Sequence, residues 1–347
     1  MSGSHGSVST EPKEILICGL NWVGDSVMSM PALQLFSESL PSVRITMLVK
    51  PAVAALWNLH DDIYRVLTLE RGPAGVFRAA RVIRSQEFDR AYILPHSFRS
   101  ALVPLLGRVK KRIGLPGHCR DFMLTDVLSP LGGPGRNHQC FEYIDLLCPD
   151  FPVHPPPKPT LTVPPGVLGE VENLLPSDGS PWIGFIPGAA RGPAKQWPKE
   201  HFIELGATLV HEGVGRIAVM GSVQERDLCA QITAGIKNNV VNLAGKTPFS
   251  VWAGVLQRCS AVVANDSGGM HLSAALGTPV VGLFGWTDPE KTGPLGPSRI
   301  LQHSTIRDRD IARNSVDARM SLASIPPVEA YDAVLELLEQ PFSQHEE

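Results

Sequence analysis

The chain has 347 residues, of which 43% are hydrophobic and 19% are charged, and its formal net charge is -3. This composition is typical of a soluble globular protein, and the small negative charge excludes an overall electrostatic attraction to nucleic acid or anionic lipid. The length suits two domains, each large enough to bury a core of its own.

Strand-like and helix-like segments alternate along both halves of the chain. In the first half the predicted strands are 14–18, 44–49, 64–67 and 89–94, and the predicted helices are 26–39, 73–86 and 98–105. In the second half the predicted strands are 182–186, 216–220, 261–264 and 279–284, and the predicted helices are 199–212, 223–235, 248–257, 268–276 and 328–339. Such alternation predicts parallel sheets joined by right-handed crossovers.

A proline-dense stretch, 149–165, separates the two halves and predicts a stiff connection. We therefore expect an α/β protein of two doubly wound, Rossmann-like domains that face one cleft. The predicted N-terminal domain spans 13–163, and the predicted C-terminal domain spans 164–322. The serine- and glycine-rich segment 1–12 lacks the apolar core of a signal peptide and is expected to be a disordered tail.

The cysteines and the hydropathy of the chain favour a cytoplasmic protein. The six cysteines form no Cys-x-x-Cys pair, and several lie in apolar runs, which predicts buried, reduced thiols. No apolar run approaches the roughly 20 residues that a transmembrane helix needs.

Asp25 lies in the loop after the first predicted strand, directly after Gly24, which lets a ligand approach the backbone closely. A carboxylate at the carboxyl end of a parallel strand can take a proton from an attacking hydroxyl. The same residue can instead cap the helix that is expected to begin at Ser26. The residues alone support these two interpretations about equally.

A second loop, after the predicted strand 261–264, contains Asp266, Ser267, Gly268 and His271 and opens a helix. A helix N-terminus offers unpaired N–H groups and a positive dipole end to an anion. His271 lies about one turn into that helix, so its ring can reach a ligand bound there. A lone histidine is more often structural, but the neighbouring acid and glycines favour a ligand site.

A third loop, 187–198, contains two glycines, Gly188 and Gly192, and Lys195. Such a loop can hold a diphosphate, with the lysine as a point charge. Motif rules alone favour a solvated loop instead, and the glycine fingerprint of dinucleotide-binding proteins is absent from the first strand-to-helix turn. No histidine or cysteine cluster has the spacing of a metal site, so no metal ion is expected.

Basic residues concentrate in one region of the predicted N-terminal domain. Arginine suits bidentate contacts with phosphate, whereas a run of charges is more often a solvated face. The residues are Arg99, Arg108, Lys110, Lys111, Arg112 and Arg120.

Four segments together resemble the ADP-heptose:lipopolysaccharide heptosyltransferases of glycosyltransferase family 9. They are 21–25, 92–104, 187–198 and 265–271, and the similarity spans nearly all of 14–340. The resemblance implies a GT-B fold, with a C-terminal helix in 323–347 that crosses back to the N-terminal domain. It also implies an inverting, metal-independent transfer from ADP-L-glycero-D-manno-heptose onto the first heptose of Kdo-lipid A.

The resemblance also implies roles for particular residues. Asp25 matches the general base, and the implied donor-binding residues are Gly188, Lys195, Asp266, Ser267, Gly268 and His271. The phosphorylated, membrane-borne acceptor implies a role for Arg99, Arg112 and Arg120 and a peripheral contact with the cytoplasmic face of the inner membrane. Neither a cofactor beyond the donor substrate nor a nucleic-acid partner is expected.

Two alternatives stay open: another transferase of the family, such as heptosyltransferase I or a different core-sugar enzyme, and an inactive nucleotide-binding homologue. The chain also departs from the family pattern at three places in the second half. One is the segment 304–319, which lacks the cysteine that many relatives carry in the loop before the final helix. Gly269 stands where relatives commonly carry an apolar residue, and 285–288 replaces the more usual small and hydroxyl residues near the expected sugar pocket.

Overall fold

The computed structural model describes residues 13–117, 119–152, 155–308 and 311–339. The predicted tail 1–12 lies outside the described residues, as do residues 340–347 of the predicted C-terminal segment. Within the described ranges, no helix is long and apolar enough to cross a membrane.

Strands and helices alternate in both halves of the chain, as predicted. The first half contains β1 (Glu14–Cys18), α1 (Val23–Ser39), β2 (Arg44–Val49), α2 (Pro51–Trp57), β3 (Ile63–Thr68), α3 (Gly72–Gln86), β4 (Arg90–Ile93), α4 (Phe98–Leu106), β5 (Lys111–Gly114), β6 (Asp126–Val127) and α5 (Cys140–Leu147). The second half contains α6 (Leu168–Leu174), β7 (Trp182–Ile186), α7 (Lys199–His211), β8 (Arg216–Val219), α8 (Arg226–Ile236), β9 (Val240–Asn242), α9 (Phe249–Arg258), β10 (Ala261–Asn265), α10 (Gly268–Ala275), β11 (Val280–Leu283), α11 (Pro289–Thr292), β12 (Ser298–Leu301), α12 (Val316–Ala323) and α13 (Pro327–Glu339).

The strands form two parallel sheets of six, ordered β3-β2-β1-β4-β5-β6 and β12-β11-β10-β7-β8-β9. In each sheet the first strand in the chain lies at the centre, and the order of the later strands reverses there, as in a Rossmann fold. The central strands β7 and β10 are buried along their whole length because helices cover both faces of a parallel sheet. The predicted fold class, α/β with two doubly wound Rossmann-like sheets, is confirmed.

The chain divides into two compact units whose limits differ from the predicted domains. Unit 1 consists of the described residues of Met1–Asn21, Ala32–Leu131 and Glu142–Phe151, and unit 2 of those of Trp22–Pro31, Gly132–Phe141 and Pro152–Glu347. The first turns of α1 therefore belong to unit 2, and so does the segment before α5. Helix α1 begins at Val23 rather than at the predicted 26, which places Asp25 inside its first turn.

Helix α13 belongs to unit 2, and the return of 323–347 to the N-terminal domain stays a prediction. It packs against α7 and against β10, β11 and β12. Its buried side chains, Ala330, Ala333, Val334 and Leu337, lie in the same hydrophobic cluster as Phe185 of β7. The apolar stripe of the helix is thus used within its own unit.

The cysteines are free thiols, as predicted. Cys18, Cys140, Cys229 and Cys259 are buried, whereas Cys119 is exposed on the loop after β5. Burial raises the pKa of Cys18 and Cys259 to about 12, which keeps both protonated and unreactive.

The predicted basic region of unit 1 does not form one phosphate-binding surface. Arg120 is fully buried, and its guanidinium donates to the backbone carbonyls of Pro95 and Leu115. Arg112 is half-buried and donates to the carbonyls of Val109 at 2.5 Å and Met123 at 2.6 Å. Both arginines thus satisfy backbone groups of irregular loops.

Among the other basic residues of this region, Arg99 resembles Arg112, and three cations are exposed. Arg99 is half-buried, and its guanidinium donates to the carbonyl of Glu70. Arg108, Lys110 and Lys111 are exposed after the end of α4. The acceptor-binding role of Arg99, Arg112 and Arg120 stays a prediction, and the fully buried Arg120 is the least accessible of the three.

Arg120→Met is expected to lower the free energy of unfolding by about 2–4 kcal/mol, because methionine leaves two buried carbonyl oxygens without a donor. The matched change Lys110→Met, at an exposed cation, is expected to alter it by less than about 0.5 kcal/mol. Urea unfolding of both variants measures the difference. Equal stabilities would contradict a structural role for Arg120.

Candidate active site

The candidate site lies at the carboxyl ends of β7 and β10. The strand order of the second sheet reverses between these neighbours, so the loops that follow them part and leave a crevice. A cleft of about 120 Å³ occupies this place, and every residue that lines it belongs to unit 2. The lining residues are Trp22, Gly24, Asp25, Met28, Gln139, Ala189, Ala190, Arg191, Lys195, Asp266, Ser267, Gly268, His271, Thr287 and Thr292.

The structure thus brings together six of the predicted site residues: Asp25, Lys195, Asp266, Ser267, Gly268 and His271. Gly188 does not line the cleft, and a Cβ at this position would overlap the carboxylate of Glu225. Arg99, Arg112 and Arg120 belong to unit 1 and do not line the cleft.

A lysine–aspartate pair forms the charged floor of the cleft. Nζ of Lys195 lies 2.5 Å from Oδ2 of Asp266, and the two side chains are only 12% and 10% exposed. The hydroxyl of Thr287 donates to the same oxygen at 2.6 Å. The amide of Gln302 donates to the carbonyl of Thr287 at 2.8 Å and so holds the threonine loop in place.

Asn265, the last residue of β10, joins the two loops of the cleft from below. It is fully buried, its Oδ1 accepts from the backbone N–H of Trp197 at 2.9 Å, and its Nδ2 donates to the carbonyl of Pro187 at 2.8 Å. The indole of Trp197 in turn donates to the carbonyl of Ile325 at 2.9 Å. Because both ends of the 187–198 loop are tied to β10, Lys195 is held facing Asp266.

The first turns of α1 and α10 meet at this cleft. A Cβ on Gly268 would lie 2.8 Å from Cβ of Val23, and one on Gly24 would lie 2.9 Å from Cδ2 of His271. Glycine is therefore required at both positions for the helix starts to approach so closely. Two helix N-termini, each the positive end of a dipole, line the same space.

His271 is neutral at physiological pH. It is buried in α10, and burial lowers its pKa to about 4, reinforced by His138 and Lys195 and opposed by Asp266. Its Nδ1 and the buried hydroxyl of Ser267 have no hydrogen-bond partner among the described residues. Buried polar atoms are nearly always satisfied, so these two atoms indicate a place for ligand atoms.

Sequence reasoning missed several cleft residues. Thr287 lies in the segment 285–288 that departs from the family pattern. Its hydroxyl donates to Asp266, so this segment helps to position the Lys195–Asp266 pair. Asn265 was within a recognised segment but had no assigned function. Gln139 comes from the segment before α5, and nothing in its sequence context distinguishes it. At Gly269 a Cβ would lie 2.7 Å from Cδ1 of Ile186, so a larger residue there would require that side chain to shift.

The site has the parts that a transfer from a nucleoside diphosphate needs. Lys195 and the N-terminus of α10 suit a diphosphate, and the half-buried carboxylate of Asp25 can accept a proton. Among the described residues, no group of three or more metal-ligating side chains is found. Two Rossmann-like sheets with such a site are typical of glycosyltransferases of GT-B fold.

Comparison with known proteins identifies the family. The model of glycosyltransferase family 9 (heptosyltransferase) matches residues 76–316. The chain is 31% identical to lipooligosaccharide heptosyltransferase 2 of Haemophilus influenzae over 93% of its own length and 99% of that protein. It is also 31% identical to lipopolysaccharide heptosyltransferase 2 of Escherichia coli, over 94% and 99% of the two chains.

A solved structure agrees with these sequences. The ADP-heptose lps heptosyltransferase II of E. coli superposes with a TM-score of 0.82 at 31% identity, over 94% of this chain and 98% of that one. The chain therefore belongs to glycosyltransferase family 9, the heptosyltransferases.

Protonation of His271 is expected to make the fold less stable in acid. The histidine of the unfolded chain binds a proton near pH 6.5, whereas native His271 does so only near pH 4. Its contribution to the free energy of unfolding is therefore complete above pH 6.5 and falls, by up to about 3 kcal/mol, as the pH is lowered to 4.

Urea unfolding between pH 4 and 7 tests this expectation in His271→Gln and in the matched variant His211→Gln, whose side chain is 85% exposed. The first variant should show a shallower pH dependence than the parent, and the second the same dependence. A His271→Gln curve parallel to that of the parent would rule out the burial effect.

Proposed function

We propose that this chain transfers heptose from ADP-L-glycero-D-manno-heptose to the first heptose of Kdo-lipid A, with inversion at the anomeric carbon. The observation that carries the proposal is the meeting of two helix N-termini in one cleft, with Asp25 on one side and the Lys195–Asp266 pair on the other. Relatives named as type 2 heptosyltransferases, matched over nearly their whole length, support this choice of donor and acceptor.

In this proposal the donor diphosphate binds between Lys195 and the N-terminus of α10. Lys195 supplies a full positive charge, and the first backbone N–H groups of α10 point toward the same space. His271, being neutral, offers a hydrogen bond without adding charge, and its unpartnered Nδ1 and the Ser267 hydroxyl are available for that purpose.

Asp25 acts as the general base. It removes the proton of the acceptor hydroxyl as that oxygen attacks the anomeric carbon from the face opposite ADP. The bond from that carbon to the β-phosphate oxygen breaks, and its electron pair leaves with ADP. The transition state has oxocarbenium character. Lys195 and the helix N-termini balance the charge that grows on the diphosphate, so the reaction is expected to continue in EDTA without a metal cofactor.

The acceptor is proposed to be a phosphorylated lipid reached by peripheral contact with the cytoplasmic face of the inner membrane. Arg99 is the candidate for an acceptor phosphate, since its half-buried guanidinium already lies at the start of α4.

One assay tests the whole proposal: release of ADP from ADP-heptose with heptosyl-Kdo-lipid A, with Kdo-lipid A, and with no acceptor. Activity only with Kdo-lipid A indicates a type 1 enzyme, and no release indicates an inactive homologue.

Asp25→Asn is expected to lower turnover by about 10²–10⁴-fold, because the amide cannot accept the acceptor proton. Affinity for ADP, measured by calorimetry, should stay near that of the parent, since the substitution keeps the size of the side chain. Near-normal turnover of a folded variant would assign Asp25 a purely structural role in the first turn of α1.

Lys195→Ala is expected to weaken ADP and ADP-heptose alike, by about 10- to 100-fold, because both lose a charged contact with the diphosphate. Lys199→Ala is the matched control: it removes a lysine that bonds Gln231 at 2.5 Å outside the cleft. Calorimetry measures both variants. Unchanged ADP affinity in Lys195→Ala would leave the 187–198 loop with no part in donor binding.

A further inference from the structure

Helix α3 of unit 1 carries a concentration of positive charge that the reaction does not use. From Arg71 to Gln86 the chain contains four arginines and no acidic residue. Three of them, Arg78, Arg81 and Arg84, lie within the helix and are exposed. The whole chain has a net charge of -3, so this positive cluster is a local feature that the net charge does not show.

The helix is amphipathic, and its apolar face is already used. Gly75, Val76, Ala79, Ala80 and Ile83 are buried, and three of these side chains join the core beneath the first sheet. The arginines therefore lie on the face opposite the core. The helix needs no further partner on its inner side.

Two large apolar side chains lie among the arginines on the outer face. Phe77 is 64% exposed and Val82 is 40% exposed. On a helix, Phe77 lies beside Arg81 and Arg84, and Val82 lies beside Arg78, because residues three, four and seven apart share a side. We call these five residues the α3 surface.

Among the residues that the structure describes, no acid neutralises the cations of the α3 surface. Arg78, Arg81 and Arg84 form no salt bridge with any described residue. Helix α4 packs beside α3, and Gly107 at its end approaches Ile83, so the exposed Arg108, Lys110 and Lys111 extend the positive charge from the C-terminal end. The acids nearest in sequence, Glu70 and Glu87, flank α3 at its two ends.

We propose that the α3 surface docks the chain on an anionic phospholipid bilayer. The three arginines bind lipid phosphates, and Phe77 and Val82 enter the interfacial region, as expected for a basic amphipathic helix that lies on a membrane. The charges alone would suit nucleic acid equally, but two exposed apolar side chains between them gain nothing from a phosphate backbone and are favourable in lipid. The inference rests on the proposed function in one respect, which is that the acceptor is a membrane lipid.

The test is co-sedimentation of the purified chain with vesicles of phosphatidylcholine alone and of an equal mixture of phosphatidylcholine and phosphatidylglycerol. The parent should bind only the mixed vesicles, and less at high salt. R78Q/R81Q/R84Q should lose about 100-fold in vesicle affinity, and Phe77→Ser about tenfold with little change in salt dependence. The matched variant K13Q/K237Q/R319Q removes three exposed cations elsewhere and should bind as the parent does.

Circular dichroism confirms that each variant is folded, and transfer to a deacylated, water-soluble acceptor measures the chemistry separately. R78Q/R81Q/R84Q should keep parental turnover on that acceptor, because the α3 surface lies outside the cleft. If the parent itself does not transfer heptose to the soluble acceptor, the proposed function is overturned, whereas the docking proposal is still tested by vesicle binding. Absence of vesicle binding, equal loss in the two triple variants, or binding of a single-stranded RNA oligomer in place of vesicles would each overturn the docking proposal.

Discussion

The close approach of two helix starts, through Gly24 on α1 and Gly268 on α10, is the constraint on which the rest of the site depends. Side chains at these positions would overlap His271 and Val23, so any larger residue would move the two helices apart. The contact brings Asp25, which follows Gly24 directly, into the cleft that holds Lys195 and Asp266. It also directs two positive dipole ends at one volume, so the backbone alone already favours an anion there. The geometry of the acid and of the anion site is therefore set by backbone packing.

The Lys195–Asp266 pair has a different physical role from that of a stabilising salt bridge. Both side chains are nearly buried, and the desolvation of two charges largely offsets their attraction, so such pairs contribute little to folding. What the pair does is keep a charged lysine at the bottom of a cleft where an unpaired cation would be costly. Thr287 and Asn265 then fix the pair from two sides. A diphosphate that enters finds the positive charge already oriented, which is the condition for electrostatic stabilisation without reorganisation.

The sequence predicted those features of the structure that depend on neighbouring residues, and it did not predict those that depend on long-range contacts. Eight strands follow from apolar runs that alternate with helical segments, and the loop after β10 was recognisable as a candidate ligand loop. The loop after β7 became a candidate only through the family resemblance, because motif rules alone favour a solvated loop there. The strand β5 was missed because it begins with Lys111 and Arg112, which look like a solvated charge run. The burial of Arg120 could not be predicted for a related reason: an arginine that satisfies buried carbonyls and one that binds a phosphate have the same local sequence. The reach of Asn265 to Trp197 and Pro187, and the entry of Gln139 into the cleft, are long-range contacts with no signal in their neighbours.

The contrast between Arg120 and the arginines of the α3 surface shows what decides whether an arginine is buried or stays in solvent. Arg120 follows a loop whose carbonyl groups lack strand partners, and the interior accepts its charge because backbone oxygens surround the guanidinium. Burial still lowers the pKa of Arg120, but from so high a value that the group stays charged. The arginines of α3 lie on a helix whose backbone groups already bond one another, so no carbonyl is left to receive them and they remain in solvent. The secondary structure around each cation therefore decides its burial: arginines beside irregular backbone bond carbonyl groups inside the protein, and arginines on a completed helix stay in solvent.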